Sequence, residues 1–236
     1  MFSIIIPTLN EEKYLPFLLE SIKRAITTRP GLVEIIVADA NSKDKTREIA
    51  KNYGCKIVEG GDSPTIGRNE GAKVARGDLF LFLDADVVLP ENFFEKTLNE
   101  SKERNLDVAT FCLEPQTKRK SKKFLFDVFY NWPILIFEKI LSHASQAILV
   151  KKGIHKEVGG FDEEIKFAED HSFVRKTKKV GNFGIIRSVK ILSSLRRFEK
   201  DGWIKTYLKY ILAEIYTIFF GDIKKDIFKY KFGHFK

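Results

Sequence analysis

Asp84-Ala85-Asp86 sets two carboxylates one residue apart at the end of the apolar run 79–83. Such a pair can converge on a hard divalent cation, Mn2+ or Mg2+, which takes oxygen ligands and shares its remaining positions with a phosphorylated substrate. A D-x-D triplet by itself is also an ordinary solvated turn, so its neighbours decide its weight. Arg68-Asn69 lies on the preceding helical segment, and an arginine near the same edge can grip a diphosphate through two parallel hydrogen bonds or serve only as a surface charge. Asp39 ends another apolar run. It can accept from the N–H edge of a nucleobase, while Asn41 and Ser42 after it can equally cap the next helix. Glu169-Asp170 opens a late helical run, either as a first-turn acidic pair that complements the helix dipole or as the source of a general base. Arg196-Arg197 follows Ser193-Ser194 as a basic element able to close over a diphosphate, or as a plain basic loop. His143, His155 and His171 read as packing or surface histidines.

The elements that must position these groups alternate through the first hundred residues. Residues 3–7, 33–39 and 79–83 are short Ile-, Val- and Leu-rich runs of the kind found in strands buried on both faces, and 55–58 is a shorter fourth. Helical spacing fills the intervals at 12–26, 43–53 and 65–75, with Gly31, Gly54 and Gly77 at the exits. This β-α-β-α-β-α-β series predicts a parallel sheet flanked by helices, with ligands at the carboxyl ends of the strands. That rule puts Pro7-Thr8, Asp39 and Asp84-Ala85-Asp86 on one rim. Beyond residue 110 the pattern loosens. A basic leader at 118–123 enters an aromatic stretch at 124–140, strands are expected at 146–150 and 183–187, and a helix at 169–179. An apolar, aromatic helix over 203–220 comes before a lysine-rich end.

The chain has 236 residues and a net charge of +9, unevenly placed. Residues 1–110 hold 15 basic and 18 acidic side chains, and residues 111–236 hold 26 and 14, a balance of +12. A nucleic acid, an anionic lipid surface or a phosphorylated substrate would each suit the basic half. The two cysteines, Cys55 and Cys112, have no metal-ligand spacing, which favours a reducing compartment. The opening apolar run is too short for a signal-peptide core, so a cytoplasmic location is expected. The 203–220 segment contains Lys205, Lys209 and Glu214 and is too interrupted to cross a bilayer. Its apolar positions recur at i, i+3 and i+4, as in a helix that packs on its own domain or lies in a lipid interface. With the 124–140 stretch, it points to a peripheral enzyme at the cytoplasmic face of a membrane.

Five ordered motifs resemble the family 2 inverting glycosyltransferases. Ser3-Ile4-Ile5-Ile6-Pro7-Thr8-Leu9-Asn10-Glu11-Glu12 is similar to their opening strand and donor loop, and Ala38-Asp39-Ala40-Asn41-Ser42 to their base-binding segment. The run from Gly67-Arg68-Asn69-Glu70-Gly71 through Gly77-Asp78 to Asp84-Ala85-Asp86 resembles the central signature. Gly159-Gly160-Phe161-Asp162-Glu163 and Glu169-Asp170 resemble the acceptor-side pair. The likeness spans residues 3 to about 203. It implies a GT-A (Rossmann-like) α/β fold with a mixed, mainly parallel sheet flanked by helices. The domain would cover residues 1–200, as a nucleotide-sugar half (1–110) and an acceptor-side half (111–200), with C-terminal amphipathic helices, membrane-associating, over 201–236. It also implies roles: Pro7, Thr8 and Glu11 against the nucleoside, Asp39 against the base and Arg68 by the diphosphate. Asp84 and Asp86 would hold the nucleoside and the metal, with Asp86 the more direct ligand, and Asp170 would be the general base. Arg196 and Arg197 match a basic element after the last strand. The expected activity is transfer of a hexose from a UDP- or GDP-linked donor to a hydroxyl acceptor, sugar or lipid-linked. The alternative is a dolichol-phosphate-mannose-like polyprenyl-phosphate hexose synthase. A phosphate acceptor needs no base, so Glu169-Asp170 argues for a hydroxyl. A sugar-phosphate nucleotidyltransferase would carry a glycine-rich basic loop where Pro7–Glu12 has neither feature. Nucleic-acid-binding motifs are absent, and no nucleic-acid partner is expected.

Overall fold

β1 (Phe2–Thr8) is buried along its whole length, as an apolar run covered on both faces should be. It pairs in parallel with β2 (Val33–Asp39) and β4 (Leu79–Leu83), and β2 pairs in parallel with β3 (Lys56–Glu59). The expected rim follows, because Thr8, Asp39 and Leu83 all end parallel strands at one edge. The computed structural model describes residues 1–26, 33–140 and 143–224; Gly31 and the last lysine-rich residues, 225–236, lie outside the described residues.

Strand periodicity divides the core into two layers. Ile4, Ile6, Leu81 and Leu83 face one side, with α1 (Leu15–Ala25) and α4 (Phe93–Glu103). Ile5, Phe80 and Phe82 face the other, with α3 (Pro64–Val74) and α8 (Glu169–Lys178). A Cβ on Gly71 would stand 2.4 Å from Ile5 Cγ2, so only glycine lets α3 lie this close to β1. The remaining intervals hold α2 (Thr46–Asn52) and α7 (Lys152–Glu157).

The second half completes a mixed sheet. β5 (Val87–Val88), β6 (Val108–Pro115), β7 (Ala147–Lys151) and β8 (Phe183–Ser193) extend it to the order β3-β2-β1-β4-β7-β6-β8-β5. β7 runs antiparallel to β4 and β6, β6 and β8 are parallel, and β5 is antiparallel to β8. Neither α4, β5 nor β6 is apparent in the sequence pattern, and β8 runs six residues past the expected end at 187. The apolar run of β8 is broken by Arg187 and Ser188, which sit at a register shift opposite Phe111/Cys112. There the Glu100 carboxylate accepts the freed backbone N–H groups of Arg187 (3.0 Å) and Ser188 (2.8 Å), replacing sheet bonds.

The aromatic stretch folds as α5 (Lys120–Phe126), a π-helical turn (Asp127–Asn131) and α6 (Trp132–Ile136). Buried Asn131 ties it to β6 by accepting from Leu113 N–H (3.0 Å) and donating to Leu113 O (2.7 Å). After β8 come α9 (Arg196–Asp201) and α10 (Trp203–Phe220). No helix among the described residues is long and apolar enough to cross a membrane.

Candidate donor site at the carboxyl rim

The β1 and β2 exits are laced together by reciprocal hydrogen bonds. Backbone N–H groups of Asn10, Glu11 and Glu12 donate to Ser42 Oγ (2.9 Å), Thr46 Oγ1 (2.8 Å) and Asp44 Oδ2 (3.1 Å). In return Lys43 N–H donates to Asn10 Oδ1 (2.8 Å) and Lys45 N–H to Glu12 Oε2 (3.1 Å). Asn10 and Asn41 turn the chain at φ +56° and +57°, a left-handed conformation that asparagine tolerates. Asp39 is the hub: its fully buried carboxylate accepts from Thr8 Oγ1 (3.1 Å), Ser42 N–H (3.0 Å) and Ser42 Oγ (2.6 Å), with Arg47 at 3.5 Å. Asp39 thus shapes this edge from inside. Pro7 is buried beside it.

Two arginine-centred clusters follow along the rim. In the first, Arg68 of α3 donates from Nη1 to Glu169 Oε1 (2.8 Å) and from Nη2 to Asp84 Oδ1 (3.1 Å), with its guanidinium 5.4 Å from the Phe161 ring. Burial works against the guanidinium charge, yet Glu169, Asp84 and Asp170 outweigh it and hold Arg68 above its ordinary pKa. Burial, then the charge of Asp170, pushes the Glu169 carboxyl up against the opposing pull of Arg68. Asp170 is partly exposed at the same helix start, and its Oδ1 accepts the His171 N–H (2.8 Å).

In the second cluster, Arg196 at the head of α9 makes a bidentate pair with Glu11, Nη1 to Oε2 at 2.8 Å and Nη2 to Oε1 at 2.9 Å. Its Nε lies 2.8 Å from Asp86 Oδ2, and its guanidinium 4.7 Å over the Tyr14 ring. Gln146 Nε2 donates to Asp86 Oδ1 (3.3 Å), and Asp84 N–H donates to Gln146 O (3.0 Å), so the start of β7 sets the angle of the acidic triplet. Burial raises the Glu11 pKa, and the Arg196 hydrogen bonds pull it back. The Arg197 side chain lies outside the described residues.

Behind Arg68, Asn69 reads the backbone of the glycine motif, donating to Phe161 O (2.9 Å) and accepting Phe161 N–H (3.0 Å). A Cβ on Gly160, at φ +77°, would lie 2.8 Å from Asn69 Oδ1, which explains the glycine. Ala168, just ahead of Glu169-Asp170, also has a left-handed φ of +57°, a strained conformation for alanine of the sort held at functional positions.

The sequence-identified residues therefore meet as three groups: Thr8 with Asp39, Arg68 with Asp84 beside Asp170, and Arg196 with Glu11 and Asp86. Glu169, Gln146 and Tyr14 join them without having been assigned such parts. Glu169 is foreshadowed by its neighbour Asp170. Gln146 has no signal in the sequence, because only the antiparallel β4–β7 pairing brings it to Asp86.

A family model described as Glycosyl transferase family 2 matches residues 3–153. The chain belongs to glycosyl transferase family 2. That family 2 match takes in Asp39, Arg68, Asp84, Asp86 and Gln146, while Glu169, Asp170 and Arg196 lie beyond it. An uncharacterized glycosyltransferase of Rickettsia typhi is 31% identical over 77% of this chain and 60% of its own length. The minor teichoic acid biosynthesis protein GgaB of Bacillus subtilis is 31% identical over 80% of this chain and 22% of its own. The chain thus spans less than two thirds of these relatives. Staphylococcus aureus TarS (residues 1–349, with UDP-GlcNAc) superposes with a TM-score of 0.67 at 23% identity, covering 91% of this chain and 66% of that one. A mannosyltransferase from Pyrobaculum calidifontis, with GDP-Man and Mn2+, gives 0.70 at 16% identity, covering 89% and 64%. These likenesses show the GT-A fold.

For a divalent cation, the described residues offer Asp84 and Asp86 and no cluster of three or more acidic, His or Cys side chains. Two carboxylates fit the open kind of site, where substrate phosphates and water complete the shell, and do not fit a closed protein cage. Both carboxylates here face arginines, so a cation bound there would share or displace guanidinium contacts.

Proposed function

We propose that the chain is an inverting, metal-dependent hexosyltransferase that moves a hexose from a UDP- or GDP-linked donor to a hydroxyl acceptor. The observation that carries this reading is the meeting of Asp84 and Asp86 with two arginines on one rim, beside the Glu169-Asp170 helix start. Family membership and the nucleotide-sugar complexes of TarS and the mannosyltransferase support it. In this reading Pro7, Thr8, Glu11 and Asp39 flank the nucleoside, with Asp39 also fixing the loop that carries it. A cation bound at Asp84 and Asp86, Mn2+ or Mg2+, supplies positive charge to the leaving nucleoside diphosphate. Arg68 turns from Asp84, and Arg196 from Glu11 and Asp86, to the diphosphate oxygens, with Arg197 assigned to the same charge. Asp170 accepts the acceptor hydroxyl proton as that oxygen bonds to the anomeric carbon and the carbon–phosphate-oxygen bond breaks, which inverts the configuration. Glu169, held by Arg68, keeps the helix start in place.

A lipid-linked acceptor at the cytoplasmic face of a membrane fits the basic half and the unpaired thiols, Cys55 and Cys112, whose pKa values burial raises to about 12 and about 11. The test is a thermal-shift series of UDP, GDP and their sugars with and without Mn2+ or Mg2+. One donor should raise the melting temperature in a metal-dependent way; no shift with any nucleotide would remove the reading. Asp170→Asn should lower transfer by about 10²–10⁴-fold with donor binding kept. Transfer retained in that variant would instead fit an acceptor phosphate that needs no base.

A further inference from the structure

α10 presents its apolar side outward. Thr206, Ala213 and Thr217 form its buried face, while Leu208, Ile211, Leu212, Ile215 and Phe219 are between 46% and 76% exposed. At roughly 100° per residue those five fall within an arc of about 100°, directly opposite the buried three. A second stripe repeats the pattern: Leu125, Phe129, Trp132, Ile136 and Ile140, spaced at three or four residues across α5, the π turn, α6 and the turn after it, are each between 49% and 76% exposed. The two elements meet where Lys122 Nζ lies 5.5 Å over the Trp203 ring and Phe198 packs on both Phe126 and Trp203. Exposed Lys118, Arg119 and Lys120 stand at the head of α5, and exposed Lys205 on the flank of α10. Soluble monomers rarely expose apolar surface on this scale.

We propose that the outward faces of α10 and α5–α6 dock the protein onto an anionic lipid bilayer, with both helices lying in the interface. The charge pattern selects this occupant. A two-fold pairing with a second copy would set the same basic cluster near its own image, whereas anionic headgroups neutralise it. Apolar faces bordered by lysine and arginine are the chemistry of interfacial helices. The inner side of the same helix meets the Glu169-Asp170 segment: Tyr210, Ala213 and Tyr216 of α10 pack with Phe167 and Ala168, the residues just before it. Docking therefore ties the segment just ahead of Asp170 to the inner side of a membrane-bound helix. Resting on the glycosyltransferase reading, this gives the acceptor a class: a hydroxyl-bearing amphiphile presented from the bilayer.

The experiment is flotation of the full chain with phosphatidylcholine vesicles, with and without phosphatidylglycerol, over a salt series. Binding should require the anionic lipid at low salt, weaken as salt rises, and fall at least tenfold in the double variant Ile211→Glu/Ile215→Glu. Circular dichroism and the nucleotide thermal shift should be unchanged in that variant, which separates docking from folding and from the donor site. No flotation at low salt overturns the proposal, as does equal flotation of wild type and variant. A dimer in sedimentation that the double variant dissolves, without vesicle binding, would assign the face to a second copy. Flotation without any nucleotide shift would leave the docking face standing and remove the acceptor class with the function.

Discussion

Replacing Arg196 by methionine removes the guanidinium and keeps most of the aliphatic bulk. In the wild type that group stands between Glu11 and Asp86, whose side chains are 9% and 7% exposed. Without it two nearly buried carboxylates lose the guanidinium they share. Breaking a buried ion pair from one side costs about 3–5 kcal/mol, since the remaining charge stays desolvated. At about 2–4 °C per kcal/mol for a domain of this size, the melting temperature should drop by roughly 6–20 °C near neutral pH. Burial already raises the Glu11 pKa, and losing Arg196 removes the hydrogen bonds that oppose the rise. A carboxyl with a raised folded pKa binds more protons folded than unfolded, so its ionisation costs stability as pH rises. The deficit of Arg196→Met should therefore be largest above the folded pKa of Glu11 and shrink as pH falls towards its unfolded value of about 4.5. The assay is thermal denaturation of both proteins from pH 4.5 to 8, in chelator and in excess Mn2+, with added cation expected to restore part of the loss. A variant as stable as wild type at pH 8 in chelator would refute the claim that Arg196 neutralises these carboxylates.

Asn69→Ala should cost about 1–3 kcal/mol in denaturant unfolding, because it leaves the Phe161 N–H and carbonyl without their side-chain partner. In transfer assays the same variant should raise the acceptor KM more than the donor KM, since the freed glycine turn precedes Glu169-Asp170. His155 is buried against Phe82 and Phe80, and burial lowers its pKa to about 4. The unfolded chain takes up the proton first, so stability should fall from about pH 6.5 towards pH 4, by at most about 3 kcal/mol; His155→Leu should flatten that limb of the melting curve. Glu138 loses some acidity to burial, but Ile185 N–H, Arg104 and Arg187 hold its pKa below the ordinary value. Its contribution is present above about pH 4.5 and lost as pH falls through the folded pKa, so Glu138→Gln should lower the melting temperature at pH 7 and narrow the gap to wild type in acid.

The donor half was legible because its physics is local. β1, β2 and β4 are apolar on both faces and follow one another through short helices, so parallel order and a common rim follow from the period alone. Asp39, Asp84 and Asp86 then fall at strand ends, with Arg68 on the helix that leads into β4. The second half obeys longer-range rules. β6 lies between two strands that come later in the chain, and the Thr110 and Cys112 within its run carry no alternation to mark it. Arg187 and Ser188 hide the continuation of β8 because the bulge that accommodates them is capped by Glu100 from α4, a helix itself unmarked by a strong apolar stripe. Glu11 was assigned to a nucleoside from resemblance; its pairing with Arg196, 185 residues away, depends on closing the whole sheet. The same holds for α10, whose apolar stripe was visible in the sequence, though its outward direction was not.

Charge along the rim bears on why an anionic donor would bind at an acidic triplet at all. Among the described side chains there, the five carboxylates of Glu11, Asp84, Asp86, Glu169 and Asp170 gather around Arg68 and Arg196. Burial, and then the neighbouring carboxylates, raise the pKa values of Glu11 and Glu169. A nucleoside diphosphate is itself multiply anionic, so the two bodies repel unless positive charge enters with the donor or is released towards it. Both routes converge on Asp86. A cation held by Asp86 would add charge beside the diphosphate and would compete with Arg196 for the same carboxylate, leaving a bidentate donor for phosphate oxygens. On the proposed function, the acidic cluster would couple donor binding to the cation, and Arg196 would be the residue through which that coupling is felt.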